Sequence, residues 1–214
     1  RGTIFLCVVD PGVGSERKPI IMKSGSNIFI GPDNGLFTLV TRHPYDAYEI
    51  SNYLWESYDI SATFHGRDIF APVAALSSAG EPPSSFGQKV TELVELELPY
   101  LVSSSPTEIR GQILYPDRFG NLLTSLGKFQ YVDEKLDFLP WVGKDAAPAV
   151  FKKTPRLVLP SGDSLSIERT FSDIPSGECG GIIGSSGLIE IAANQSSAAE
   201  LLSLERGDQI SMIF

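Results

Sequence analysis

Four stretches of this 214-residue chain carry side chains of types and spacings that chemistry can use. The first, VVDPGVGSER, ends an apolar run in a carboxylate, Asp10, and turns at once on Pro11-Gly12. In open α/β sheets ligands gather at the carboxyl ends of strands, so an acid at a strand tip can meet a ligand there. Gly12 and Gly14 permit close backbone approach. Their spacing is not a dinucleotide fingerprint, however, and no Gly-Lys-Ser/Thr phosphate loop follows. An Asp before Pro-Gly also commonly hydrogen-bonds its own turn, and from this stretch alone both readings stand.

The second stretch, SATFHGRD, places His65 directly before an expected helix N-terminus. Such a position can hold an imidazole neutral and aim it at a ligand. It also suits an ordinary surface histidine, with Arg67 and Asp68 as a solvated pair and helix cap. The third, YPDRFGN, combines an acid, an aromatic ring, a glycine and an amide. That set can stack on and hydrogen-bond a flat heteroaromatic ring, and it is equally the composition of a common β-turn. The fourth, GSSGLIEIAAN, is a hydroxyl-rich turn feeding a strand with a small, polar exit. No His, Cys or carboxylate cluster has metal-ligand spacing, so no metal is expected.

Positioning these stretches requires two kinds of structure. Residues 3–10 read as a buried strand, short, β-rich and apolar on both faces. Residues 19–23 and 27–30 read as strands joined by a tight turn, 47–50 as another strand, and 36–40 as a short helix after the dense turn GPDNG. Residues 68–78 have helical spacing, with Ile69, Val73 and Leu76 on one face and Pro72 in the tolerated first turn. Together these predict an α/β domain over residues 1–98. Residues 99–106 are Ser/Pro-rich and read as a linker. Over 107–214, short alternating segments at 108–115, 156–159, 164–169, 181–183, 188–191 and 209–214 predict an antiparallel, barrel-like β domain. Ser197 and Glu200 have capping-box spacing ahead of one short helix.

Composition excludes several partners. A net charge of −9 without any basic run argues against nucleic acid and anionic membrane surfaces. No apolar stretch approaches the ~20 residues that span a bilayer. Cys7 and Cys179 cannot build a disulfide framework, so reduced thiols and a cytoplasmic location are expected. Arg1-Gly2 runs almost directly into a strand, as it would in a piece of a longer protein.

Taken in order, VVDPGVGSER, GPDNGL, TFHGRDIFAPVAA, DRFGN and GSSGLIEIAANQSSAAELL closely resemble the S-adenosyl-L-methionine hydroxide adenosyltransferase family, the water-using relatives of fluorinase and chlorinase. The likeness runs over essentially the whole chain. It implies an α/β domain followed by a β-barrel-like domain, and homotrimers with active sites at subunit interfaces. It also implies attack of water or hydroxide on the ribose 5′ carbon of S-adenosyl-L-methionine, releasing adenosine and L-methionine, with no further cofactor.

The family's water-binding trio matches Asp10, Arg17 and His65: Asp10 takes a hydrogen bond or proton, Arg17 keeps the acid charged and oriented, and His65 completes the water's hydrogen bonds. A carboxylate there disfavours a halide nucleophile, because two anions in a dry pocket repel. On the substrate side the resemblance assigns Asp117 to the methionine ammonium and Ser185 to its carboxylate. It gives Phe64 and Phe119 to the nucleoside, Asn121 and backbone near Ala193 to Gln195 to the adenine edge, and Phe171 to adenine stacking. Ser186 replaces an arginine that fluorinase uses for the carboxylate. One departure is larger. The family begins with some tens of residues bearing a Thr-Asp-Phe-Gly-like motif that holds the ribose hydroxyls, and these 214 residues hold no counterpart. A chain lacking those first strands exposes a sheet edge and is expected to turn over weakly, or only to bind nucleoside. A halide-using transferase is the other enzymatic alternative.

Overall fold

The computed structural model describes residues 2–51, 60–143 and 145–214. The chain divides into two compact units, Arg1–Glu97 and Leu98–Phe214. In the first, strands β1 (Ile4–Leu6), β2 (Pro19–Ser24), β3 (Asn27–Pro32), β4 (Tyr45–Glu49) and β5 (Lys89–Val90) form one mixed sheet in the order β1-β3-β2-β4-β5. β1 runs parallel to β3 and every other pair is antiparallel. The β2–β3 hairpin closes on Gly25 and Ser26, with Gly25 at φ +57°, a conformation glycine adopts without strain.

Strict alternation gives this sheet two apolar faces. Ile21 and Ile30 point to one face, where helix α1 (Ala71–Ser78) and the turn before it add Ile69, Phe70 and Val73. Ile20, Met22 and Ala47 point to the other, where Phe37 and Val90 complete the packing. The helical segment starts two residues before its expected boundary, as a π-helical turn at Gly66–Phe70 that runs on into α1. Pro72, the second residue of α1, lies inside this continuous helical run, and its missing N–H falls where the π-helical turn gives way to α1. Residues 36–40 form hydrogen-bonded turns instead of the expected helix, with Gly35 at φ +90° ahead of them.

The strand expected over 3–10 is shorter and less buried. Only Ile4–Leu6 is β1, and Phe5, Leu6, Val8 and Val9 are exposed, Val9 by 65%. β1 pairs on one side only among the described residues, so its apolar side chains lack a second neighbour. Asp10 therefore follows an irregular extension and does not close a strand.

The second unit is a barrel. β7 (Glu108–Pro116), β8 (Leu122–Val132), β11 (Arg156–Val158), β12 (Ser164–Glu168), β13 (Cys179–Ile183), β14 (Leu188–Ala193) and β15 (Gln209–Ile213) close a ring, sealed where β7 pairs with β8. The barrel is mixed, not purely antiparallel as expected, because β12 and β13 run parallel. β6 (Leu101–Ser105) lies within the stretch expected as linker and pairs with β7. β9 (Lys135–Leu139) and β10 (Ala149–Phe151) extend the sheet from β8. Inward residues such as Ile113, Leu122, Leu126, Ile191 and Met212 fill the core. Helix α2 (Ala198–Leu202) starts on Ser197, whose hydroxyl accepts the Glu200 N–H. No helix among the described residues is long and apolar enough to cross a membrane.

Strand β8 carries buried polar groups with assigned partners. The Ser125 hydroxyl donates to the Tyr100 carbonyl at 2.6 Å and accepts the Gln112 N–H at 2.8 Å. Removing it leaves both backbone groups short of a partner, at a cost of about 1–3 kcal/mol. Ser125→Ala is expected to lower the unfolding free energy by that amount, read as a lower denaturant midpoint at an unchanged m-value; an unchanged midpoint would show that water replaces the hydroxyl.

Candidate active site

The first motif and the second meet at one guanidinium. Arg17 Nε donates to both Asp10 oxygens, at 3.0 and 3.1 Å, and Nη2 donates to Asp10 Oδ2 at 2.5 Å. The same Nη2 lies 2.7 Å from His65 Nδ1. Both members of the ion pair are nearly dry, the Arg17 and Asp10 side chains being 8% and 5% exposed. The Arg17 guanidinium also lies 5.4 Å from the centre of the buried Phe70 ring. An arginine nitrogen can only donate, so His65 Nδ1 must accept, and the ring proton sits on Nε2. Burial and the Arg17 charge hold the imidazole below its ordinary pKa, against the pull of Asp10 and Asp68. His65 is thus a neutral ring presenting an N–H.

Local chemistry brings the two loops together. Gly14, at φ +79°, passes so close to the Ala62 carbonyl that a Cβ would lie 2.7 Å from its oxygen. The Ser15 hydroxyl donates to the Gly12 carbonyl and tightens the turn leading to Arg17. Asn34, in the turn after β3, donates from Nδ2 to the Val9 carbonyl at 2.9 Å and fixes the residue before Asp10. Asp68 does not cap the helix as expected. Its Oδ2 accepts the Ser61 N–H, holding the loop that bears His65. Hydrogen bonds from Arg67 and from that backbone bring its pKa down to about 2. Phe64 stays exposed beneath the Arg67 guanidinium.

The other predicted residues belong to the second unit, in turns at the ends of barrel strands. Asp117 Oδ1 accepts the N–H groups of Phe119 and Asn121, and Oδ2 accepts Asn121 Nδ2. Burial works against its charge, but the hydrogen bonds from Asn121, Phe119 and Gly120 outweigh it and hold the carboxyl below its ordinary pKa. Phe119 projects freely, 73% exposed, and Phe171 is exposed on a short 3₁₀ turn. Ser185 and Ser186 occupy the turn between β13 and β14, where the Ser186 hydroxyl accepts the Leu188 N–H. The Ala193 side chain lies in the barrel core, so only its backbone is available to a ligand. Gln195 adopts φ +62° and accepts the Ser176 hydroxyl.

The positioning roles of Asn34 and Asp68 and the electrostatic role of Glu190 differ from anything expected of the sequence. Asn34 and Asp68 act through backbone groups distant in sequence. Their only local signal is the habit of Asn and Asp in turns of bonding to backbone. Glu190, in the middle of β14, is a carboxyl whose pKa burial pushes up, with the Asp117 charge adding to the effect. Cys7 and Cys179 are free, and burial raises both thiols, so neither is an activated nucleophile. Among the described residues no group of three or more His, Cys, Asp or Glu side chains is arranged to hold a metal.

Comparison with known proteins agrees over both units. Residues 1–87 match the SAM hydroxide adenosyltransferase N-terminal domain and residues 111–211 the corresponding C-terminal domain. A Thermus thermophilus protein named (R)-S-adenosyl-L-methionine hydrolase is 33% identical over 100% of this chain and 76% of its own length. A Nocardia brasiliensis fluorinase is 31% identical over 94% of this chain and 64% of its own. A crystal structure of an uncharacterized conserved protein from Thermotoga maritima superposes with a TM-score of 0.69 at 30% identity, covering 99% of this chain and 76% of that one.

The Arg17–His65 contact makes the ring's protonation testable. In ¹⁵N NMR spectra His65 is expected as the Nε2–H tautomer, titrating below an unperturbed histidine. In Arg17→Gln the Asp10 charge loses its counter-ion, so the His65 pKa should rise. A wild-type ring protonated on Nδ1 would contradict the arrangement.

Proposed function

This chain belongs to the SAM hydroxide adenosyltransferase family, and from that premise we propose that it cleaves S-adenosyl-L-methionine with water, through Asp10, Arg17 and His65. The convergence of Asp10 and His65 on the Arg17 guanidinium carries the reading. The water oxygen attacks the ribose 5′ carbon, and the carbon–sulfur electron pair leaves with sulfur. The sulfonium becomes the neutral thioether of methionine, so the leaving group needs no acid. What remains is to hold one water in line and take its proton.

The geometry divides that work. His65 cannot take the proton, because Nδ1 faces Arg17 and Nε2 already carries a hydrogen. Its N–H instead donates to the water oxygen and fixes the lone pair that attacks. Asp10 accepts three contacts from Arg17, which fill one side of the carboxylate and leave acceptor capacity for a water O–H. Asp10 receives the proton and passes it to solvent. Its negative charge also repels a halide from the same place, which favours oxygen as nucleophile.

On the C-terminal unit, Asp117 takes the methionine ammonium and Ser185 its carboxylate. Phe119, Phe171 and, from the N-terminal unit, Phe64 offer exposed ring faces to the nucleoside. Asn121 keeps its side-chain carbonyl and one N–H for the adenine edge beside the backbone at residues 193–195, its other N–H being given to Asp117. A homotrimer belongs to the same reading, and sedimentation equilibrium is expected to return three times the mass of one chain.

In ¹⁸O-labelled water without halide, S-adenosyl-L-methionine should yield L-methionine and adenosine labelled at the 5′ oxygen. A halogenated nucleoside or unchanged substrate would overturn the assignment. Asp10→Asn should lower kcat by about 10²- to 10⁴-fold, the range for a lost proton acceptor, while adenosine binding stays within a few-fold of wild type. Parallel loss of both would make Asp10 a structural residue.

A further inference from the structure

A buried acid with no part in the roles above lies in the turn after β3. Asp33 is 8% exposed, and burial raises its pKa against the hydrogen bond from Val94 and the charge of Lys18. Its backbone N–H donates to the Lys18 carbonyl at 2.8 Å, one residue beyond Arg17. Its neighbour Asn34 donates from Nδ2 to the Val9 carbonyl at 2.9 Å, one residue before Asp10. Two consecutive residues of one turn therefore hold both ends of the loop from Asp10 to Arg17. The turn has its own supports. Asn34 Oδ1 accepts the Leu36 N–H, which fixes the amide that reaches Val9. Asp33 Oδ1 accepts the Val94 N–H at 2.8 Å. The Thr38 hydroxyl accepts the Leu96 N–H at 2.9 Å and donates to the Gly35 carbonyl. Leu96 packs on Gly35, where a Cβ would lie 2.4 Å from its Cγ.

An acid and an arginine that orient a nucleophile must keep a fixed separation, since a misplacement of about 1 Å can cost roughly 10²-fold in rate. Val9 lies outside β1, so the Asn34 amide takes the place of a sheet partner for its carbonyl. A buried carboxylate is costly unless it is hydrogen-bonded, and Asp33 spends its acceptor on a segment some sixty residues away in the chain, at Val94. Resting on the hydrolysis reading, we propose that Asp33 and Asn34 are positioning residues for that reaction: the turn sets the separation of Asp10 and Arg17 by gripping Val9 and Lys18, and the Asp33 carboxylate steadies the turn against residues 94–96. Loosening the turn disturbs the orientation of the nucleophile and leaves the residues assigned to the nucleoside and to methionine in place. The loss therefore falls on kcat.

Three variants test this. Asn34→Ala removes the donor to Val9, Asp33→Ala removes the acceptor of the Val94 N–H, and Asp33→Asn restores an acceptor oxygen. With the folded fraction read from the amide NMR spectrum, each alanine variant should lower kcat per folded molecule by about 10- to 100-fold while KM stays within about twofold. Asp33→Asn should recover most of the loss. An unchanged kcat, a loss confined to KM, or no recovery in Asp33→Asn would overturn the proposal. The ¹⁵N spectrum of His65 gives a readout independent of turnover. In Asp33→Ala the Arg17 contact at Nδ1 should loosen and the His65 pKa should rise, because the Arg17 charge helps to hold it down. Removing a negative charge by itself lowers a histidine pKa, so a value that stays or falls would also overturn the proposal. A rise in a protein whose wild type leaves S-adenosyl-L-methionine intact would instead count against the hydrolysis reading and leave the positioning of Asp10 and Arg17 by this turn standing.

Discussion

The N-terminal site depends on a single buried cation. The Arg17 side chain is only 8% exposed, so its charge is met largely from within. Asp10 meets it along one edge and His65 takes a further donor, while the Phe70 ring covers part of the guanidinium. Each contact narrows what the others can do. The arginine fixes which face of the carboxylate stays open and which imidazole nitrogen keeps a proton. One interaction therefore sets the orientation of an acceptor and a donor together.

Holding that cation requires two loops far apart in sequence to meet within ångströms. The sheet does this economically: α1 packs on one of its faces, and the π-helical turn places His65 at the start of that helix. The extra residue of a π-turn re-aims side chains at a helix end, and such turns recur at functional sites. Gly14 lets the first loop lie against the second without a side chain between them. Asn34 and Asp68 then pin the backbone on either side, each using a carbonyl or N–H that regular structure leaves unpaired.

The barrel solves a different problem. Its interior is packed with aliphatic side chains, so polar groups that could recognise a ligand are displaced to turns and outer strand faces. There they are organised by their own hydrogen bonds. Asp117 is locked by three donors of its own turn, and the serine turn is anchored to β8. Such groups need little reordering when a ligand arrives, which reduces the entropic cost of binding.

Local pattern in the sequence determined much of this molecule. Alternation located β2, β3, β4 and six of the barrel strands, helical spacing located α1, and the Ser197 cap located α2. The motifs containing Asp10 and His65 could be singled out by residue type, and the order of all the motifs pointed to the family. Alternation failed on β8, where Thr124, Ser125 and Gly127 interrupt the apolar pattern. Their polar groups find partners on other strands, and Gly127 takes φ +103°. It failed also at β6, a Ser-rich segment recruited by pairing with β7. Only the tertiary structure decided that Asp10 and His65 share one arginine, which proton the imidazole carries, and that Asp33 and Asn34 hold both ends of the loop from Asp10 to Arg17. Those are contacts between residues distant in the chain, and a linear pattern encodes which side chains exist without stating which of them will meet.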